Sequence, residues 1–133
     1  MTIVVDSSVV VAALIDTGLT GQWAESVLVS DALAAPHLML VEVANILRRS
    51  TVAGEVSSDV ASLAHAELVA RRIELFPYAP LASPVWELRS NVTAYDGWYV
   101  ALAEALSAPL ITLDHKLTRA PGLRCEFTVP PPS

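Results

Sequence analysis

Short apolar runs of strand length alternate with stretches of helical length along almost the whole of this chain, and that alternation limits the fold more than any other feature. The runs fall at 2–5, 33–36, 73–76, 110–113 and 124–128. Between them the spacing predicts helices at 9–15, 22–29, 37–50, 60–71 and 81–89, one opening at Thr93 or Asp96 and reaching Leu106, and a short one at 115–119. The clearest is 37–50, where Leu40, Val43, Ala44 and Leu47 recur on one helical face. Strands separated by helices predict an α/β domain, with a central, mainly parallel sheet flanked by helices. A chain of 133 residues has the length of one domain, placed here at 1–128 with a Pro-rich tail at 129–133.

Composition removes several classes of protein. With 53% hydrophobic and 17% charged residues, the chain is not of the disordered kind. A mean hydropathy of +0.51 raises the question of a membrane span. The longest uncharged stretch, 75–86, contains three prolines and falls short of the roughly 18 apolar residues a span needs. No basic segment opens the chain and Asp6 interrupts its first apolar run, so no signal peptide is expected. The lone Cys125 builds no disulfide framework, and the expected compartment is the cytoplasm. Fourteen acidic against eight basic residues give a net charge of −6. That balance opposes non-specific binding of duplex nucleic acid, which favours basic proteins. Any nucleic-acid function has to account for the acid excess.

Most of the acids fall in loops or on faces open to water. Four are instead embedded in apolar sequence: Asp6, Glu42, Asp96 and Asp114. Asp6 and Asp114 each follow directly on an apolar run, and open parallel sheets bind ligands just outside the carboxyl ends of their strands. Glu42 shares a helix face with Leu38, Asn45, Ile46 and Arg49, a partly apolar face that points to the core. Asp96, near a helix start, can point into the same crevice. Two carboxylates ~4 Å apart repel by about 4 kcal/mol at an effective dielectric near 20, so converging acids either take up protons or hold a cation. An all-oxygen donor set suits Mg²⁺ or Mn²⁺ better than Zn²⁺, and His37, His65 and His115 lack zinc spacing. Each acid also has a plain structural alternative. Asp6, Asp96 and Asp114 are candidates for helix caps or turn residues, and Glu42 for an ion pair with Arg48 or Arg49.

Four blocks together resemble one family. They are Val4-Val5-Asp6-Ser7-Ser8-Val9, Glu42-Val43-Ala44-Asn45-Ile46-Leu47-Arg48-Arg49, Tyr95-Asp96-Gly97-Trp98-Tyr99-Val100-Ala101-Leu102-Ala103-Glu104 and Pro109-Leu110-Ile111-Thr112-Leu113-Asp114. In order, spacing and chain length they are similar to the PIN-domain ribonucleases, and among these to the VapC-type toxins of bacterial toxin–antitoxin pairs. The resemblance implies a central parallel sheet flanked by helices. It implies catalytic, Mg²⁺- or Mn²⁺-ligating acids at Asp6, Glu42, Asp96 and Asp114, with Ser7 and Thr112 supporting them or touching substrate. It implies a type II toxin that acts as an endoribonuclease on single-stranded or looped RNA, using a metal-activated water in line with the phosphodiester. By the same resemblance the partners are a VapB-type antitoxin and a second copy of the chain, with no membrane. Arg48, Arg49, Lys116 and Arg119 are candidates for holding RNA phosphates. Gly97 stands where a small Ala is expected and loosens the helix start by ~1 kcal/mol.

Two rival readings remain. A phosphoacceptor of the response-regulator kind wants an adjacent acid pair after the first strand, whereas serines follow Asp6. A non-catalytic RNA-binding or regulatory module of the same fold needs no acids, yet all four are present. A serine hydrolase is unsupported, since no Gly-x-Ser-x-Gly occurs.

Overall fold

Val4 and Val5 have no exposed surface at all, which is why β1 (Thr2–Val5) reads as an unbroken apolar run: it is the middle strand of the sheet, covered on both faces. The computed structural model describes residues 1–132, so the last residue of the predicted Pro-rich tail, Ser133, lies outside the described residues. The other strands are β2 (Ala32–Pro36), β3 (Ile73–Phe76), β4 (Leu110–Ile111) and β5 (Phe127–Thr128). Their order is β3-β2-β1-β4-β5, and every neighbouring pair is parallel. The helices are α1 (Ser7–Ile15), α2 (Leu19–Ser30), α3 (Met39–Val52), α4 (Ser58–Ala70), α5 (Ala82–Glu87), α6 (Ala94–Leu106) and α7 (His115–Thr118). The α/β architecture expected from the alternation of runs is therefore present, with a wholly parallel sheet.

The helices pack as their sequences demand. α1 carries apolar side chains on nearly every face and is enclosed by α2, α3 and α4, with Val9, Val10, Ala12 and Ala13 buried. α6 lies on β1 and β2 through Tyr99, Val100 and Leu102, all buried. α5 packs against α6 at Gly97, where an added Cβ would stand 3.3 Å from Val85 Cγ1. The glycine that weakens the start of α6 is thus the residue that lets α5 approach it closely. Among the described residues no helix is long and apolar enough to cross a membrane.

Several element ends differ from the sequence expectation, and at four of them a side-chain contact stands at the boundary. β4 stops at Ile111 rather than at 113, because Leu113 N donates to Ser8 Oγ (3.2 Å) instead of to a strand neighbour. β5 begins at Phe127 rather than at 124, because Arg124 N donates to Glu104 Oε2 (2.8 Å). α2 starts three residues earlier than predicted, after a turn that Asp16 Oδ1 closes by accepting from Gly18 N (2.7 Å). Thr93, not Asp96, caps α6: its Oγ1 accepts from Asp96 N (3.2 Å).

Candidate active site

The strand order reverses its direction of growth at one place. From β1 the chain builds outward through β2 and β3 on one side, and then returns to add β4 and β5 on the other. Between the carboxyl ends of β1 and β4 the crossovers leave in opposite directions, which opens the crevice where doubly wound sheets bind ligands. Asp6 follows β1 immediately, and Thr112 follows β4 immediately. The backbone joins them, since Asp6 N donates to Ile111 O (3.0 Å).

Asp6 is 9% exposed and sits at the N-cap position of α1, yet its side chain does not cap the helix. Its oxygens accept from three hydroxyls instead: Thr112 Oγ1 (2.7 Å) and Ser8 Oγ (3.0 Å) on Oδ2, and Ser7 Oγ (3.3 Å) on Oδ1. Ser8 Oγ in turn accepts from Leu113 N, and Thr112 Oγ1 accepts from Asp114 N (3.0 Å). A buried carboxylate needs such donors, because stripping its water without replacement is costly. The network fixes the carboxylate in one orientation at the mouth of the sheet.

Glu42 enters from α3, and its partner is not an arginine. Tyr99 Oη donates to Glu42 Oε1 at 2.6 Å, while Arg48 Nε donates to Asn45 Oδ1 (3.1 Å). Tyr99 lies one turn beyond Asp96 on α6, so one face of that helix presents both residues to the crevice. Burial raises the pKa of Glu42, opposed by the Tyr99 bond and reinforced by the charges of Asp6 and Asp96. Burial likewise raises that of Asp96, with further contributions from Asp6 and Asp114. The Tyr99 hydroxyl is driven far upward, first by burial and then by its bond to Glu42, so it stays a donor. The four acids thus feel one another as a connected negative cluster.

Asp114 combines its structural alternative with membership of that cluster. Its Oδ1 caps α7, accepting from Lys116 N (2.9 Å) and Leu117 N (3.1 Å), and the residue is exposed beside Asp96 in one groove. Lys116 lines that groove too. Arg48 does not: it lines a separate groove between α3 and α4, with Ala61 and His65. Arg49 and Arg119 are exposed on α3 and just beyond α7. Sequence reasoning missed Tyr99, Ser8 and Arg89, the last of which also lines the groove of Asp96 and Asp114. The signal for Tyr99 was its three-residue spacing from Asp96, and Ser8 stood in view beside Ser7.

The donor set fits a hard divalent cation. It offers carboxylate oxygens only, and among the described residues the ion pairs are Met1–Asp31 and Arg71–Glu67, so no lysine or arginine neutralises any of the four acids. As placed, no three of the described His, Cys, Asp and Glu residues surround a common point closely enough to hold an ion. Mg²⁺ commonly takes one or two carboxylates and completes its shell with water, so a full ring of protein ligands is not required.

Comparison with known proteins bears on the family and the fold. Residues 3–123 match the family model of the PIN domain. Ribonuclease VapC1 of Mycobacterium tuberculosis is 42% identical over 125 residues, spanning 93% of this chain and 94% of the relative. In fold, the chain is similar to Mycobacterium tuberculosis VapC20, a sarcin-ricin loop cleaving toxin (TM-score 0.69, 17% identity, 92% of this chain and 96% of that one). It is also similar to VapBC2 of Rickettsia felis, solved with a DNA fragment from its promoter (TM-score 0.68, 17% identity, 97% and 98% covered).

Proposed function

Since this chain belongs to the PIN-domain family, among the VapC ribonucleases, we propose that it is the endoribonuclease toxin of a toxin–antitoxin pair and that it cuts RNA with the help of Mg²⁺ or Mn²⁺. The observation that supports this reading is the mutual repulsion that links Glu42 and Asp96 to Asp6, and Asp96 to Asp114, none of the four forming an ion pair with a lysine or arginine among the described residues. Substrate RNA is single-stranded or looped, so that a phosphodiester can reach the acids.

Each side chain has a task in that reading. Asp6, held by Thr112 and Ser8, offers a fixed oxygen to the cation. Glu42 is oriented by Tyr99, which leaves its second oxygen for the cation or for water. Asp96 projects from the first turn of α6, and Asp114 keeps Oδ2 while Oδ1 caps α7. A bound Mg²⁺ or Mn²⁺ supplies Lewis acidity, acidifying water and offsetting charge that builds on phosphate oxygens. The carboxylates also orient the attacking water in line with the scissile bond and accept its proton.

The partners follow from the same reading. A VapB-type antitoxin restrains the enzyme, and a second copy of the chain completes a homodimer. Exposed Val41, Val52, Leu63 and Val69 on α3 and α4 supply apolar surface for such contacts. The test is cleavage of total bacterial RNA by antitoxin-free protein in Mg²⁺, Mn²⁺ or EDTA, beside Asp96→Asn. Metal-dependent cutting that is lost in the variant supports the reading. A folded wild-type protein that leaves all RNA intact contradicts it.

A further inference from the structure

The groove that holds Asp96 and Asp114 has a volume of about 520 Å³. One wall is the segment between α5 and α6, with Arg89, Asn91 and Thr93; the other is α7, with Lys116. Arg89 and Lys116 are its cationic lining residues, and both are exposed. Neither forms an ion pair with a carboxylate among the described residues, although Asp96 and Asp114 share their groove. Their charge is therefore open to an incoming anion.

Arg89 is also held in place. Its Nη1 donates to Trp86 O (2.9 Å), and its guanidinium carbon lies 4.7 Å from the centre of the Trp86 ring. A stacked, tethered guanidinium loses less freedom when it binds phosphate than a free one, and among the described residues Trp86 O is the acceptor of Arg89. Lys116 follows the α7 cap, two residues after Asp114, so its position is tied to that of the acid.

We propose that Arg89 and Lys116 grip backbone phosphates of the RNA strand beside the scissile bond, one from each wall, and that this groove sets the direction in which the strand leaves the acids. The inference rests on the ribonuclease reading above and deepens it. The acids hold the cation and the reacting phosphate, while the two basic side chains hold the neighbouring phosphates. Asn91 and Thr93, on the wall of Arg89, offer polar contacts to sugar or base. An acidic protein thereby binds a polyanion, through a local pair of cations rather than through its net charge.

The test is steady-state cleavage of a fluorescein-labelled pool of single-stranded oligoribonucleotides in Mg²⁺ at several salt concentrations. Arg89→Ala and Lys116→Ala should each raise KM about tenfold with kcat held within about twofold, the loss of one charge-assisted contact. Each should also flatten the slope of log kcat/KM against log salt by about 0.7, one single-strand phosphate contact. Arg89→Lys should recover part of the loss. Arg72→Ala, exposed between α4 and β3, should change neither quantity. Wild-type KM and salt slope in both alanine variants would overturn the inference and leave the ribonuclease reading standing. A fall in kcat at unchanged KM would also overturn it. If the wild-type protein neither cuts the pool nor binds it by anisotropy, both fall together.

Discussion

Thr112 Oγ1 donates to Asp6 Oδ2 at 2.7 Å, a contact between residues 106 apart in the chain that ties the ends of β1 and β4 at the level of the acid cluster. The same hydroxyl accepts from Asp114 N, so it serves two of the four acids at once. Thr112→Val keeps the shape and removes both bonds, leaving a buried carboxylate with one donor fewer and a backbone N–H without its partner. The expected loss is about 2–4 kcal/mol of stability, since hydrogen bonds to charged groups contribute more than neutral ones. Urea unfolding should show a lower midpoint at constant slope, and Thr112→Ser should recover most of the loss.

Tyr99 stands in the same relation to Glu42. Tyr99→Phe removes a 2.6 Å donor without changing ring volume, so the fold should survive while Glu42 loses its orientation. Cleavage should fall about 10- to 100-fold, the usual cost of removing a residue that positions a metal-binding side chain. Glu42→Gln should fall further. Normal cutting by Glu42→Gln in Mg²⁺ would remove Glu42 from the site.

The raised pKa values of Glu42 and Asp96 fix how stability responds to pH. Unfolded, the two groups ionise near 4.5 and 3.8; folded, they keep their protons to higher pH. Across that window the folded state binds more protons than the unfolded one, so stability is greatest below it and declines as pH rises through it. In EDTA, Tm should therefore fall as pH rises from ~pH 4 toward neutral, and Mg²⁺ should lessen the fall. Asp96→Asn should raise the metal-free Tm, since it removes a charge that burial and the neighbouring carboxylates disfavour. The same variant should lose cleavage. A gain in stability with a loss of activity is the mark of a group kept for function.

Cys125 is half-buried near Glu104, and burial first, then that charge, push its thiol up to about 11 from an ordinary 9.0. At ~pH 8 the reactive thiolate is then on the order of a hundredfold scarcer than in the unfolded chain. Iodoacetamide should label the native protein far more slowly than the urea-unfolded one. Equal rates would contradict the burial.

The α/β alternation was legible because the central strands are short, apolar runs with buried side chains, as at Val4, Val5 and Leu110. The acids were legible because charge in apolar sequence demands a partner. What stayed hidden were contacts across the fold. Nothing local in Leu-Ile-Thr-Leu ends a strand at Ile111; the hydroxyl of Ser8, 105 residues away, does so by drawing off Leu113 N. Nothing local links Tyr99 to Glu42 either, since they lie on different helices 57 residues apart. Thr93 and Asp96 both had the chemistry of a cap, and only the register of α6 decides for Thr93. Arg89 carried no sequence signal until α5 and α7 placed it across the groove from Lys116.

On the function proposed above, Asp6 and Asp96 belong to one site for a divalent cation. Titration of Mn²⁺ into the metal-free protein, followed by electron paramagnetic resonance, tests this without any RNA. Wild-type protein should take up Mn²⁺, and Asp6→Asn and Asp96→Asn should each weaken uptake at least about tenfold while remaining folded. Undiminished uptake in both variants, or wild-type protein that takes up none, would contradict the account.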